Sequence, residues 1–239
     1  MKVKNRLLNY TNMDIIQDTD YFNFSLDSVL LPNFVTLNKN IKNVIDLCTG
    51  NAPIPLILST KTDAKIIGIE LQKEIYDLAI ESVEINNLQD IINILNYDVK
   101  EIDKIFETES FDVITCNPPY FKYTENSNIN KNDIKTLARH EVTLNLNDIF
   151  KVAKKILKNN GVIALVHRPE RLVEIIDTMR ENNIEPKRLQ FIYPNENKES
   201  NMILIEGRKN GNPGLKVLKP LYVHDENGNY KKEIKDMFQ

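Results

Sequence analysis

One short stretch of the chain, Cys116-Asn117-Pro118-Pro119-Tyr120, carries the residue types best suited to bind a planar amine. The side-chain oxygen of Asn117 and the carbonyl oxygen of Pro118 can both accept hydrogen bonds from an exocyclic NH2 group. The ring of Tyr120 can stack on the ring that carries this group. We therefore predict a catalytic group of Asn117, Pro118, Pro119 and Tyr120; taken alone, the stretch also fits a proline turn with a packed tyrosine.

The residues before this stretch predict a buried strand that presents it. Phe111–Cys116 is apolar and β-branched, and the two prolines end the strand because neither can donate to a ladder. Similar runs alternate with amphipathic helices, which predicts an α/β fold with a mostly parallel, doubly wound sheet. The predicted strands are 43–48, 65–70, 90–96, 111–116 and 162–166, and strands 187–193 and 201–207 form a closing antiparallel hairpin. A helix over 148–159 with Gly161 just after it is also predicted.

The tetrapeptide after Cys116 resembles the Asn-Pro-Pro-Tyr signature of amino-group methyltransferases that use S-adenosylmethionine (SAM). That family methylates N6 of adenine, N4 of cytosine or a glutamine side-chain amide. The resemblance implies SAM as the cofactor and a Rossmann-like class I methyltransferase fold.

Three acids stand at the ends of three successive predicted strands. In open α/β sheets, ligands bind outside the carboxyl ends of the strands. Glu70 stands where a carboxylate can accept both hydroxyl protons of a ribose. Asp46 can hold the amino acid end of SAM, and Asp98 can accept from its adenine amino group. Each acid alone also fits a solvated strand end or a helix cap. The full set of predicted cofactor-binding residues is Ser25, Asp27, Asp46, Leu47, Cys48, Gly50, Asn51, Glu70, Leu71, Asp98, Val99 and Asn117.

The turn after the first strand departs from the usual pattern of SAM enzymes, Asp-x-Gly-x-Gly-x-Gly. Its corresponding positions are Asp46, Cys48, Gly50 and Ala52, so one glycine remains. Glycine lets the backbone approach a ligand closely. The turn therefore argues against a dinucleotide, whose pyrophosphate needs that approach, and predicts a lower affinity for SAM.

Longer matches narrow the resemblance to the bacterial tRNA(Val) adenine-37 N6-methyltransferases and cover nearly the whole chain. They include Phe-Ser-Leu-Asp at 24–27, Ala-Arg-His-Glu at 138–141 and Arg-Pro-Glu-Arg-Leu at 168–172. The resemblance implies methylation of the adenine beside the anticodon, with the target base turned out of its stack. The anticodon stem-loop of tRNA is then the expected partner. The expected RNA contacts are Arg139, His140, Arg168, Arg171, Lys187, Arg188, Arg208 and Lys209.

Length and composition fit one cytoplasmic domain. The chain has 239 residues, 2 cysteines and a net charge of -3. We expect a monomer with reduced thiols, no metal and no contact with a membrane, because no apolar stretch approaches the ~20 residues of a membrane helix. Within a single domain over 1–239, we expect a capping segment (1–40), a SAM-binding core (41–207) and a basic tail (208–239).

Three other functions remain open on the sequence. A DNA adenine methyltransferase normally carries a separate target-recognition domain, for which this length leaves little room. A release-factor glutamine methyltransferase is expected to have a helical N-terminal domain, whereas only ~40 residues precede the first predicted core strand. A non-catalytic RNA-binding module that has lost SAM through the altered turn is the third.

Overall fold

A computed structural model describes residues 1–9, 11–19, 25–118 and 144–238. Four predicted site residues, Pro119, Tyr120, Arg139 and His140, lie outside these ranges. In the described parts the strands are β1 (Lys2–Leu8), β2 (Met13–Asp18), β3 (Asn43–Leu47), β4 (Lys65–Glu70), β5 (Ile92–Asn96), β6 (Phe111–Cys116), β7 (Leu157–His167), β8 (Ile184–Tyr193), β9 (Met202–Lys209), β10 (Lys216–Val217) and β11 (Leu221–Tyr222). The helices are α1 (Leu26–Phe34), α2 (Pro53–Leu58), α3 (Lys73–Glu84), α4 (Leu146–Ile156), α5 (Leu172–Glu181) and α6 (Lys232–Phe238), with 3-10 turns at Val99–Lys104 and Pro169–Arg171.

The main sheet has nine strands in the order β10-β8-β9-β7-β6-β3-β4-β5, with β11 also paired to β8. Strands β3 to β7 are parallel to their neighbours within that group, and β9 is antiparallel to both β7 and β8. This is the Rossmann-like, mostly parallel sheet with a closing antiparallel hairpin that the sequence predicted. Because β3 to β7 run the same way, their carboxyl ends meet at one edge of the sheet.

The sheet is covered on both faces, which explains why its strands are continuous apolar runs. One core includes residues of α1, α2, α3 and α6 and of the β1–β2 hairpin. The other includes residues of α4, α5 and the first 3-10 turn.

Two parts of the fold differ from the prediction. Helix α4 ends at Ile156 and β7 begins at Leu157, so Gly161 lies inside a strand and does not follow a helix. A Cβ on Gly161 would lie 2.8 Å from the carbonyl oxygen of Lys158, so close packing is what requires glycine there. The second difference is the antiparallel β1–β2 hairpin, which the sequence analysis did not predict.

An ion pair inside the fold attaches the end of α1 to the sheet. Glu206 of β9, 3% exposed, accepts from the backbone N–H (2.7 Å) and the hydroxyl (2.8 Å) of Thr36. Arg188 of β8 pairs with Glu206 at 3.2 Å, donates to the Phe34 carbonyl at 2.8 Å and lies over the Phe34 ring. Arg188 therefore has a structural role that its assignment as an RNA contact missed.

We expect Arg188→Ala to lower the free energy of unfolding by about 3 kcal/mol, because it leaves the Glu206 carboxylate buried without its cation. Urea unfolding measures this loss. Arg208→Ala is the matched control: Arg208 is half-exposed and has no side-chain partner within the described ranges. It should change the same free energy by less than about 0.5 kcal/mol. Equal losses in the two variants would contradict the structural role of Arg188.

Candidate active site

A polar residue ends or follows each of several parallel strands at the carboxyl edge of the sheet. The residues are Asp46 (β3), Glu70 (β4), Asp98 (after β5), Asn117 (after β6) and His167 (β7). The strand register supports the alignment, since Leu47 pairs with both Ile69 and Cys116. The candidate active site therefore extends along this edge.

Asp46 is fully buried and anchors the turn after β3. Its two oxygens accept from the Thr49 hydroxyl at 2.7 Å and from the Thr115 hydroxyl at 2.6 Å. Burial, opposed by these two hydrogen bonds and aided by the nearby Glu70 charge, raises the pKa of Asp46 to about 7. Asp46 has no exposed surface, and its predicted contact with the amino acid end of SAM stays a prediction.

The turn from Cys48 to Ala52 keeps a left-handed backbone at all three positions where SAM enzymes usually have glycine. The φ angles are +58° at Cys48, +59° at Gly50 and +71° at Ala52. Thr49 donates its backbone N–H to the Ile69 carbonyl at 2.9 Å, which fastens the turn to β4. Apart from the chain neighbours of Gly50, no heavy atom of the described residues lies within 4 Å of where a Cβ on Gly50 would stand, so these residues leave open space beside the turn.

Glu70 lies directly beside this turn. One carboxylate oxygen accepts from the Gly50 N–H at 3.0 Å and the other from the Gln72 N–H at 2.8 Å. Burial raises the pKa of Glu70, although these hydrogen bonds oppose the rise. Glu70 is 7% exposed, and the adjacent Leu71 is 45% exposed. An acceptor beside an exposed apolar side chain fits a ribose and an adenine ring.

The segment after β5 lies against the end of β4. The Tyr97 N–H donates to the Glu70 carbonyl at 3.1 Å. The Asp98 side chain accepts from the Lys100 N–H at 2.9 Å and so caps the following 3-10 turn, while Val99 is buried in the core. Asp98 thus fits both the predicted adenine contact and its simpler interpretation as a cap.

Asn117 follows β6 and contacts the beginning of α1. Its Nδ2 lies 3.4 Å from the hydroxyl of Ser28. Asp27 accepts from the Ser28 N–H at 2.9 Å and from the Ser25 hydroxyl, which orders the first turn of α1. Ser25 and Asp27, which were predicted to bind the cofactor, therefore belong to the same turn as Ser28, which contacts Asn117. The sequence gave no signal for that contact.

The two cysteines are free thiols at the centre of this edge. Burial raises the pKa of Cys116, and a hydrogen bond with Cys48 and the Asp46 charge add to the rise. Cys116 is therefore a protonated, packed thiol, in keeping with the expected reduced state.

His167 is a polar residue of this edge to which the sequence analysis assigned no role. It is 1% exposed, and its Nδ1 accepts from the Arg168 N–H at 2.8 Å. Burial, with the Arg171 charge, lowers the pKa of His167 to about 4, so the ring is neutral. Its position at the end of a buried strand is the sequence signal that could have identified His167 as a residue of this edge.

Those predicted RNA contacts that fall within the described ranges are not brought together by the structure. Arg168 and Arg171 follow β7 at the edge that carries Asn117. Arg208 ends β9 and pairs with Val162, whereas Ile203 pairs with His167, so Arg208 lies roughly 17 Å along the strand from that edge. Lys209 is buried and donates to the Leu157 carbonyl at 2.8 Å. Lys187 donates to the Asn212 carbonyl at 2.8 Å.

Within the described residues, no helix has the length and apolar character to cross a membrane. The same residues contain no cluster of three or more His, Cys, Asp or Glu side chains placed to hold a metal ion.

The fold and the polar edge are those of a methyltransferase, and comparison with known families agrees. Residues 38–232 match a family model described as a methyltransferase domain. The chain belongs to this family, whose members use SAM as the methyl donor. Open space beside Gly50, the Glu70 carboxylate and the exposed Leu71 fit that cofactor.

Curated relatives are similar over most of the chain. A protein of Flavobacterium psychrophilum is 24% identical over 216 residues, covering 89% of this chain and 91% of its own length. One from Christiangramia forsetii is 23% identical and covers 99% of this chain and 98% of its own length. Both are named tRNA1(Val) (adenine(37)-N6)-methyltransferase.

Solved structures share the fold. A predicted O-methyltransferase of Agrobacterium tumefaciens superposes with a TM-score of 0.70 at 19% identity, covering 88% of this chain and 94% of its own. Geranyl diphosphate C-methyltransferase of Streptomyces coelicolor, in complex with S-adenosyl-L-homocysteine, has a TM-score of 0.58 at 11% identity and covers 76% of each chain.

The free energy of unfolding should fall with rising pH, and we expect Asp46→Asn to make this fall smaller. The pKa of Asp46 is about 7 in the folded protein, whereas the ordinary value of an aspartate carboxyl, which applies to the unfolded chain, is 3.8. Between these values the unfolded chain loses its proton first, so the contribution of this group to the free energy of unfolding falls as pH rises. Urea unfolding from pH 4.5 to pH 7.5 measures the slope, which Asp46→Asn should make less negative by up to about 1.4 kcal/mol per pH unit.

Asp112→Asn is the control for this titration. Burial of Asp112 is outweighed by hydrogen bonds from Lys158, Lys42 and Asn43, which lower its pKa below 3.8. Its stabilisation is lost only as pH falls below that value, outside the measured window. A slope left unchanged by Asp46→Asn, or changed equally by Asp112→Asn, would contradict the assignment.

Proposed function

We propose that this methyltransferase transfers the methyl group of SAM to N6 of adenine 37 in the anticodon loop of tRNA(Val). The observation that carries the proposal is a half-buried carboxamide, Asn117, at the end of a buried strand and at the same edge as Glu70. The names of the relatives from Flavobacterium psychrophilum and Christiangramia forsetii support this choice of substrate.

An adenine amino group suits these residues chemically. The side-chain oxygen of Asn117 and the carbonyl oxygen of Pro118 accept hydrogen bonds from its two N–H groups, which turns the nitrogen lone pair out of the ring plane. SAM supplies the electrophilic methyl group. The protein contributes orientation and electrostatics, and it needs no strong base because the methylated amine releases its proton readily. Tyr120, outside the described ranges, is the proposed stacking partner.

A base in a single-stranded loop suits this site because it costs little to unstack. Arg168 and Arg171 are the proposed phosphate contacts nearest to Asn117. Arg168 is half-exposed and donates to the Asn201 carbonyl at 3.1 Å, and Arg171 pairs with Glu174. Lys209 is left out of the proposed surface because its ammonium group is buried and bonded internally.

The test offers the protein SAM together with unmodified tRNA, duplex DNA and a release factor in parallel, with products identified by mass spectrometry. N6-methyladenosine in tRNA alone, mapped to position 37, is the expected result. A methylated DNA base or glutamine would contradict the proposed tRNA substrate but agree with methyltransferase activity. RNA binding without SAM binding or product would instead favour the non-catalytic module.

We expect Asn117→Ala to lower the methylation rate about a hundredfold or more, since it removes an acceptor aimed at the reacting amine. The Kd for SAM should stay within about twofold, because the Asn117 side chain is proposed to face the amine and the variant leaves the predicted cofactor contacts at the ends of β3 and β4 unchanged. Single-turnover rates and calorimetry measure the two quantities. Asn93→Ala, which truncates an exposed asparagine of β5, is the matched control. A loss of SAM affinity as large as the loss of rate would contradict this role for Asn117.

A further inference from the structure

The β1–β2 hairpin lies outside the main sheet but is fixed firmly to the rest of the protein. Its residues Leu7, Leu8, Met13 and Ile15 are buried and belong to the same core as α1 and α2. Among the described strands, β2 pairs only with β1, so its other edge carries backbone groups that need partners.

Side chains from two other elements satisfy that edge. The Ile16 N–H donates to the Ser82 hydroxyl at 3.0 Å, and the Ile16 carbonyl accepts from Asn51 Nδ2 at 2.7 Å. Just after the end of α3, Asn86 accepts from the Asp14 N–H at 3.0 Å and donates to the Asp14 carbonyl at 2.7 Å. The hairpin is thus bound through its backbone to the turn after β3 and to helix α3.

Both anchoring elements are parts of the cofactor site. Asn51 lies between Gly50, whose N–H is bonded to Glu70, and Ala52. Helix α3 begins at Lys73, directly after Glu70 and Gln72. Asn51 is 6% exposed and Ser82 fully buried, so these bonds are shielded from water. The Asn51 amide, which the sequence analysis assigned to the cofactor, donates to the hairpin.

The buried face of β2 changes character toward its end. Met13 and Ile15 are apolar, but the next residue on that face, Gln17, is polar and only 5% exposed. Its side-chain oxygen accepts from Asn5 at 2.5 Å. The apolar buried face of β2 therefore ends in an amide that is bonded to β1. From there the chain leads to Ser25 at the beginning of α1.

We propose that the β1–β2 hairpin is a wall of the cofactor site, and that Asn51 is a positioning residue that holds the wall on the turn. On this basis SAM binds with full affinity only when the hairpin is docked. The inference depends on SAM as the cofactor and not on the identity of the methyl acceptor.

Calorimetric titration of SAM into the full-length protein, without RNA, tests the proposal with two variants. Asn51→Ala removes the donor to the Ile16 carbonyl, and Ser82→Ala removes the acceptor of the Ile16 N–H. Each should weaken SAM binding about tenfold, the equivalent of one buried hydrogen bond. In a methylation assay the KM for SAM should rise while kcat stays within about twofold.

Thr178→Val is the matched control for Ser82→Ala. Thr178 lies on α5, on the opposite face of the sheet, and its hydroxyl donates to the carbonyl four residues earlier at 2.7 Å, as the Ser82 hydroxyl does. Its Kd for SAM should stay within about twofold of wild type. Weaker binding in Asn51→Ala alone would mean direct contact with SAM and overturn the role of the hairpin. Unchanged binding in both hairpin variants would overturn it as well.

Hydrogen exchange in the unmodified protein keeps the test decisive if a variant fails to fold. Saturating SAM should slow exchange of the Asp14 and Ile16 amides, whose N–H groups are bonded to Asn86, just after α3, and to Ser82 of α3. The Thr178 region of α5 should exchange at the same rate with and without SAM. Exchange in β2 that does not respond to SAM would overturn the proposal, and neither result depends on the tRNA substrate.

Discussion

The carboxyl group of Asp46 is the point on which the candidate site depends. It accepts one hydrogen bond from Thr49 of the turn and one from Thr115 of β6, and it has no contact with solvent. A buried carboxyl is tolerated only when it is well bonded or protonated, and here both effects operate near neutral pH. The turn beside Glu70 and the strand that presents Asn117 are therefore fixed to one group.

The turn after β3 keeps its backbone shape although two of the three usual glycines are replaced. A left-handed residue other than glycine costs about 1–2 kcal/mol, yet Cys48 and Ala52 adopt this conformation. The bonds from Thr49 to β4 and from Gly50 to Glu70 hold it in place. The site has retained the backbone shape and lost only the residue type, so missing glycines alone do not argue that the cofactor site is lost.

The sheet and its polar edge were predictable because both follow from local patterns. Apolar β-branched runs that end in Glu70 or Asn117 identify a strand and its ligand-facing end. The role of Arg188 was not predictable, because its partner Glu206 lies on another strand and only packing shows that the pair is buried. The hairpin was not predicted for a similar reason. The largely exposed, polar β1 gives little periodic signal, and the side chains that anchor β2 come from Asn51 and α3, far along the chain.

The buried charge of Asp46 also bears on product release. Its ionised form favours a cation by Coulomb attraction, and the low dielectric of its surroundings strengthens that preference. SAM carries a sulfonium charge, whereas S-adenosylhomocysteine, which remains after transfer, has a neutral sulfur. With SAM bound beside this turn, the carboxylate that keeps the turn in place would favour the reactant over the spent cofactor. The site would then lose part of its attraction for its occupant once the methyl group has left.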